Sequence, residues 1–205
     1  MKSATTASLA LCTATAALLL VSGCGDKSTS SSSSSTTSAS ATSKSTSTSN
    51  SPAASEQDLS KLLISADEIA APGDVFTAQE PTLNPGGKPG VATVFSNAKD
   101  TREIGDTIFV LPDAAAANTA LQGAVAAFAS TVTGTPESAD VGTSGTMVSG
   151  TSPDGAKSIT VLVFTRGTAF TTLEFDGGPG DAVPAEFVLD VAKKQDAKLK
   201  AGLGG

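Results

Sequence analysis

The sequence predicts an α+β fold, in which a largely antiparallel β-sheet packs against two or three helices in a two-layer or sandwich arrangement. Strand-like segments between Val91 and Phe175 are joined by short hairpin-type turns, as in antiparallel sheets. Two longer stretches, 112–132 and 184–201, repeat apolar residues at helical spacing. Before residue 55 the composition changes to an apolar leader and a Ser/Thr-rich linker, so we place one globular domain at 55–205.

The domain opens with a segment of helical pattern at 55–71. Ser55…Asp58 and Ser65…Glu68 both fit the capping-box spacing that begins helices. The segment forms either two short helices, or one helix and a short extended Leu62-Leu63-Ile64 before a second turn. The Pro- and Gly-rich stretch Gln79–Gly90 predicts an exposed loop, either a mobile connection or a surface against which a ligand sits.

The first strands are predicted at 91–96 and 101–111, with a turn at 97–100. Pro112 and Asp113 then begin a helix that runs to about Val132. Its apolar residues recur at positions i, i+4, i+7 and i+11, which lie on one helix face. These residues are Leu121, Val125, Phe128 and Val132.

The second half of the chain repeats this order. A weak strand is predicted at 140–150 and the strongest strand at 158–165. Arg166-Gly167 predicts a tight turn into a partner strand at 168–175. Pro184 begins a final helix that ends near Ala201.

The N-terminus has the features of an export signal. Lys2 precedes an apolar run from Leu9 to Val21, which is too short to cross ~30 Å of hydrocarbon comfortably. Val21-Ser22-Gly23-Cys24 resembles a bacterial lipobox. The resemblance implies that residues 1–23 are a lipoprotein signal peptide and that Cys24 becomes the N-palmitoyl, S-diacylglycerol cysteine. The alternative is an ordinary secretory signal with an incidental cysteine.

A tether is predicted at 24–54. Of the 24 residues from Ser28 to Ser51, 20 are Ser or Thr, which leaves no apolar surface to offset the entropy of ordering. We therefore expect a flexible stalk, which is either O-glycosylated or an unmodified spacer.

Composition excludes several classes of chemistry. The chain of 205 residues has no His, and its two cysteines are Cys12 and Cys24, so neither a Ser-His-Asp triad nor a His-ligated or Cys₄ metal site can form. A net charge of −7 argues against nucleic acid as a partner. The segment 142–146 lacks the second Gly of a nucleophile elbow, and 176–181 lacks the spacing of an EF-hand loop. We expect no catalytic residues, no metal and no cofactor.

Two arginines are the weak candidates for ligand contact in the domain. Arg102 and Arg166 each lie at or near a predicted strand end, where a guanidinium could bind a carboxylate or phosphate. The alternative is that they are strand-edge charges that discourage aggregation.

The order of lipobox, Ser/Thr-rich stalk and small domain resembles that of cell-envelope lipoproteins of mycobacteria and related actinobacteria. The segments Leu62–Ile69 and Thr165–Thr168 are similar to the extracellular sensor domain of some mycobacterial receptor kinases. A related class is the lipoproteins whose α/β/α sandwich binds envelope lipids.

These resemblances imply an exported protein, held on the outer face of the cell membrane by acylated Cys24. Its domain would be a non-catalytic binding or accessory module for an envelope lipid or protein. The alternative is a carrier of lipid or glycolipid, and an enzyme is a third, less favoured class. A carrier should enclose an apolar cavity above about 300 Å³, whereas surface recognition fits a filled core.

Overall fold

A computed structural model describes residues 58–71 and 73–204. The predicted α+β class is confirmed: eight strands form one sheet in which every pairing is antiparallel. The strands lie in the order β1-β3-β4-β8-β7-β6-β5, and β2 also pairs with β3. Their bounds are β1 Phe76–Ala78, β2 Thr82–Leu83, β3 Gly90–Asn97, β4 Glu103–Val110, β5 Glu137–Ser138, β6 Thr143–Thr151, β7 Ser158–Arg166 and β8 Ala169–Gly177; the helices are α1 Ala114–Thr131 and α2 Ala185–Gly202.

One helix lies on each face of the sheet, which is the sandwich form of the prediction. Helix α1 packs mainly on β6, β7 and β8, where Leu121, Phe128 and Val132 are buried. Val125, predicted for the same face, is only partly buried. Helix α2 packs on the opposite face of β7 and β8 through four buried residues. They are Val188, Val191, Ala192 and Leu199.

The chain before the sheet forms 3₁₀ turns rather than α-helices. The turns span Leu59–Leu62 and Ala66–Glu68, and Leu63 between them has an extended backbone. The structure combines the two alternatives: it has two short helical turns, and of the expected extended Leu62-Leu63-Ile64 only Leu63 and Ile64 lie between them. Ser65 and Glu68 form the predicted capping box, in which the Ser65 N–H donates to Glu68 Oε2 at 2.9 Å.

The strongest periodic segments are correctly predicted, and the shortest strands are not. β3, β4, β6, β7, β8, α1 and α2 lie where the sequence indicates, within a few residues at each end. β1 and β5 have no counterpart in the prediction, and the predicted loop 79–90 contains β2 and a 3₁₀ turn at Pro85–Gly87. These strands have two or three residues each, too few to show a periodicity.

The predictions of export and membrane anchoring concern the N-terminal part of the chain. The signal peptide 1–23, Cys24 and the stalk 24–54 lie outside the described residues. Within the described residues, no helix has the length and apolar character that a membrane span requires.

Candidate functional site

An aromatic pocket of about 290 Å³ opens at one end of the sheet. It lies between the sheet, the loop 178–184 and the first turn of α2. Its apolar lining is drawn from residues far apart in sequence: Ala71, Phe76, Ile104, Phe175, Val183 and Phe187. We call this cavity the aromatic pocket, and its charged lining residues are one cation, Arg102, and two acids, Glu103 and Asp176.

Strand alternation explains why these side chains meet. Ile104 of β4 and Phe175 of β8 are direct cross-strand partners and belong to the core on the α2 side of the sheet. Pro184 precedes α2 and sets its first turn, which brings Phe187 over Phe175. The two rings meet edge to face, with centroids 6.0 Å apart and planes at 76°.

Arg102 is held between two carboxylates beside the aromatic pocket. Its Nε and Nη2 donate to the two oxygens of Asp181, at 3.0 and 2.6 Å, which is the bidentate fork geometry. Its Nη1 donates to Asp74 Oδ2 at 3.3 Å. The hydrogen bonds that Arg102 donates to Asp181 lower the pKa of the Asp181 carboxyl and raise the pKa of the Arg102 guanidinium. Asp181 is the more exposed acceptor, at 47% of its side chain against 15% for Asp74.

The N-terminus of α2 contributes a second positive feature at the same place. Pro184, the N-cap residue, has no side chain that could accept from the first turn, and no side-chain cap is present. The free N–H groups of a helix start carry a partial positive charge and attract anions. Since Pro184 and Phe187 both line the aromatic pocket, this end of the helix lies at its wall.

The second candidate arginine lies at the opposite end of the sheet. Arg166 pairs with Ala169 at the β7–β8 hairpin, whereas Arg102 adjoins the end where Glu103 pairs with Asp176. The Arg166 guanidinium binds Asp196 of α2 in a bidentate pair, with Nε 2.7 Å from Oδ1. This pair raises the pKa of Arg166 and fixes the hairpin to α2. The structure therefore does not bring the two arginines together.

Three carboxylates lie on the face of the sheet opposite to α2. Glu103 and Asp176 are direct cross-strand partners, and Glu174 pairs with Gly105. Lys157 Nζ donates to Asp176 at 2.6 Å. Burial, and then the charge of Asp176, raises the pKa of Glu174. No group of three or more metal-ligating side chains is positioned to hold an ion in the described part of the chain.

A buried acid in β4 was not predicted from the sequence. Asp106 is fully buried among apolar residues, and neither of its carboxylate oxygens has a hydrogen-bond partner within the described chain. Burial raises its pKa to about 8. Thr171, diagonal to it across β4 and β8, also has an unpartnered hydroxyl. The available signal was the alternation Ile104, Asp106, Ile108, which places an acid on the buried face.

The chain matches no protein-family model, no curated protein and no solved structure. The protein is therefore described by its own architecture: it is an antiparallel α+β sandwich with an open aromatic pocket at one end of the sheet. Of the site residues expected from sequence, Arg102 lies at this pocket. The phenylalanines that form its walls were not predicted as a site.

Proposed function

We propose that the chain is an exported lipoprotein, anchored to the outer face of the cell membrane by acylated Cys24, and that its globular domain is a non-catalytic binding module. The anchoring half of this proposal is supported by the lipobox-like sequence Val21-Ser22-Gly23-Cys24. The binding half is supported by the aromatic pocket.

The aromatic pocket is the single observation that carries the binding function. Apolar cavities of this kind, with a few polar groups at the edge, are typical ligand sites. Pockets for drug-sized ligands commonly measure ~300–1,000 Å³. A volume of about 290 Å³ therefore accepts one short chain or one aromatic group, not a complete envelope lipid. We infer that the domain grips one part of a larger envelope component.

The state of the polar groups at the pocket supports binding rather than catalysis. Asp74 and Asp181 are both engaged with Arg102, so they are held as ion-pair partners of the guanidinium. The apolar lining also favours the alternative of a lipid carrier, which would need the pocket to widen enough to enclose its cargo.

Membrane anchoring is tested by native mass spectrometry of the protein extracted from its own membrane. We expect diacylglycerol and acyl mass on Cys24 and entry of labelled palmitate into the protein. The Cys24→Ser variant should lose both. Equal processing and envelope retention of the variant, or absence of label from the parent, would overturn the anchoring half.

Binding is tested by filling the aromatic pocket. Val183→Trp places a large side chain in the pocket, and Val75→Trp makes the same change at an exposed position, 74% accessible, outside it. Envelope molecules that co-purify with the parent should be lost from Val183→Trp and kept by Val75→Trp. Equal retention by both variants would show that the pocket is not the binding site. A cargo that is a whole lipid released only on unfolding would favour the carrier.

A further inference from the structure

We infer that the aromatic pocket takes a single-chain amphiphile with a carboxylate head group, and that this carboxylate replaces Asp181 on Arg102. The inference rests on the proposed binding function and names the ligand class of the same pocket. Three observations carry it: the composition of the pocket, the geometry of Arg102 and the exposure of Asp181.

The composition of the pocket fits an amphiphilic ligand, with one apolar end and one polar end. Its walls are aromatic and aliphatic, so the deeper part of the ligand must be apolar. Its polar edge combines the Arg102 guanidinium with the uncapped start of α2, which carries Glu186 in its first turn, and the lining also includes Glu103 and Asp176. The guanidinium and the helix start both favour negative charge at one place, and the guanidinium fork matches a planar carboxylate.

Asp181 occupies the position that such a carboxylate would take. Its two oxygens fill the Nε and Nη2 positions of Arg102. Asp181 belongs to the loop 178–184, whose residues Ala182 and Val183 form one wall of the aromatic pocket. With 47% of its side chain exposed, Asp181 can turn to water at small cost when a ligand takes its place.

Asp74 has a different role from Asp181. It is only 15% exposed and accepts from the remaining nitrogen, Nη1. Asp74 therefore keeps Arg102 oriented while the exchange on the other two nitrogens occurs. The Asp181 side chain is an internal competitor of the ligand, and its removal should strengthen binding.

Neither the opposite face nor the opposite end of the sheet offers an alternative site for the carboxylate ligand. Glu103 and Asp176 also line the aromatic pocket, but they alternate with Ile104 and Phe175 along their strands. The alternation directs their carboxylates to the opposite face of the sheet, where both residues line a second cavity. The Arg166–Asp196 pair has the same bidentate geometry at the far end of the sheet. It supplies a matched control for every change made at Arg102 and Asp181.

The experiment compares three probes with the same eight-carbon tail: octanoate, octanol and octylammonium. The full chain carrying Cys24→Ser, which offers no thiol for acylation, is titrated with each probe by NMR. We expect octanoate to bind at least about tenfold more tightly than octanol, the effect of a hydrogen bond to a charged group. Octylammonium should bind more weakly than octanol.

Two variants separate ligand binding from a structural role. Arg102→Gln should remove the preference for octanoate over octanol. Asp181→Asn should strengthen octanoate binding by up to about fivefold, since it removes a competing ion pair. Arg166→Gln and Asp196→Asn should leave all three affinities unchanged. Thermal unfolding of each variant verifies that it is folded.

The outcomes distinguish this inference from the proposed function. If octanol or octylammonium binds as well as octanoate, or if Asp181→Asn weakens octanoate binding, the carboxylate inference is wrong and the binding function stands. If none of the three probes binds, the inference is wrong and pocket binding of an alkyl chain is wrong with it.

Discussion

Gln195 of α2 accepts a hydrogen bond from the backbone N–H of Ile64 at 3.0 Å, across 131 positions of sequence. The Nε2 of the same side chain donates to the carbonyl of Leu62 at 2.7 Å. Gln195 is fully buried, and one amide thereby satisfies both backbone groups of an extended segment. This segment lies near the N-terminal end of the described residues, so Gln195 ties the start of the domain to its last helix.

Gln195→Leu should destabilise the domain by about 2–4 kcal/mol, because it leaves the N–H of Ile64 and the carbonyl of Leu62 buried without partners. Urea unfolding at pH 7 measures the loss. Gln122→Leu on the exposed side of α1 is the matched control and should stay within about 0.5 kcal/mol of the parent. Equal effects of the two substitutions would mean that the Gln195 bonds contribute nothing.

The sequence could not have identified this contact, because it joins residues that are far apart in the chain. The same is true of the aromatic pocket. Helical and strand periods are local, so β7, α1 and α2 were predictable from their own residues. Gln195 looks like an ordinary polar residue of α2 until its partners 131 and 133 positions away are known. Arg102 was noticed for its scarcity, but its partner Asp181 is 79 positions distant.

Short elements were unpredictable for a related reason. β1 and β5 exist because β3 and β6 offer them backbone partners, not because two or three residues prefer an extended form. Two phenylalanines of the aromatic pocket, Phe175 and Phe76, are buried in the core. Only the fold shows that these residues also border an open cavity.

Asp106 should make the stability of the domain fall as pH rises. Its pKa is about 8 in the folded chain and ordinarily near 3.8, so between these values the folded state binds more protons than the unfolded state. The free energy of unfolding should therefore drop by up to about 1.4 kcal/mol per pH unit through this window. Urea unfolding from pH 5.5 to 8.5 measures the slope.

Asp106→Asn should remove most of that slope, because an amide does not titrate. The exposed Asp140→Asn is the control and should keep the slope of the parent. The pKa values of Asp58, Glu68, Asp154 and Asp181 are lowered, so the stability that these carboxylates contribute is lost only as pH falls below their ordinary pKa values near 4. Their contribution is complete above pH 5.5 and does not mask the effect of Asp106. A parent protein whose stability is flat across the window would contradict the assignment.

Gly142 should tolerate substitution far less well than Gly155. Both have positive φ, +55° and +71°, so alanine is strained at either position. At Gly142 an added Cβ would also lie 2.7 Å from the Thr165 carbonyl oxygen, while nothing lies within 4 Å at Gly155. We expect Gly155→Ala to cost about 1 kcal/mol and Gly142→Ala at least about 1 kcal/mol more by urea unfolding. Equal costs would show that backbone strain alone decides.

The Arg166–Asp196 pair should couple more strongly than an ordinary surface pair of the same helix. Its side chains are 30% and 18% exposed, and the fork geometry fixes both partners. Lys194 and Asp190 also form an ion pair, at 2.8 Å, but their side chains are 35% and 51% exposed. Double-mutant cycles with Arg166→Gln and Asp196→Asn, and with Lys194→Gln and Asp190→Asn, measure the coupling free energies.

We expect about 1 kcal/mol for Arg166–Asp196 and about 0.3 kcal/mol for Lys194–Asp190. Raising the salt concentration should reduce the second coupling by the larger fraction, because the more exposed charges are better screened. The difference matters for the fold, since Arg166 adds a polar contact between the β7–β8 hairpin and α2 to their apolar packing. If the two couplings are equal, the hairpin and the helix are joined by apolar packing alone, and Arg166 is only a solvated charge at a strand end.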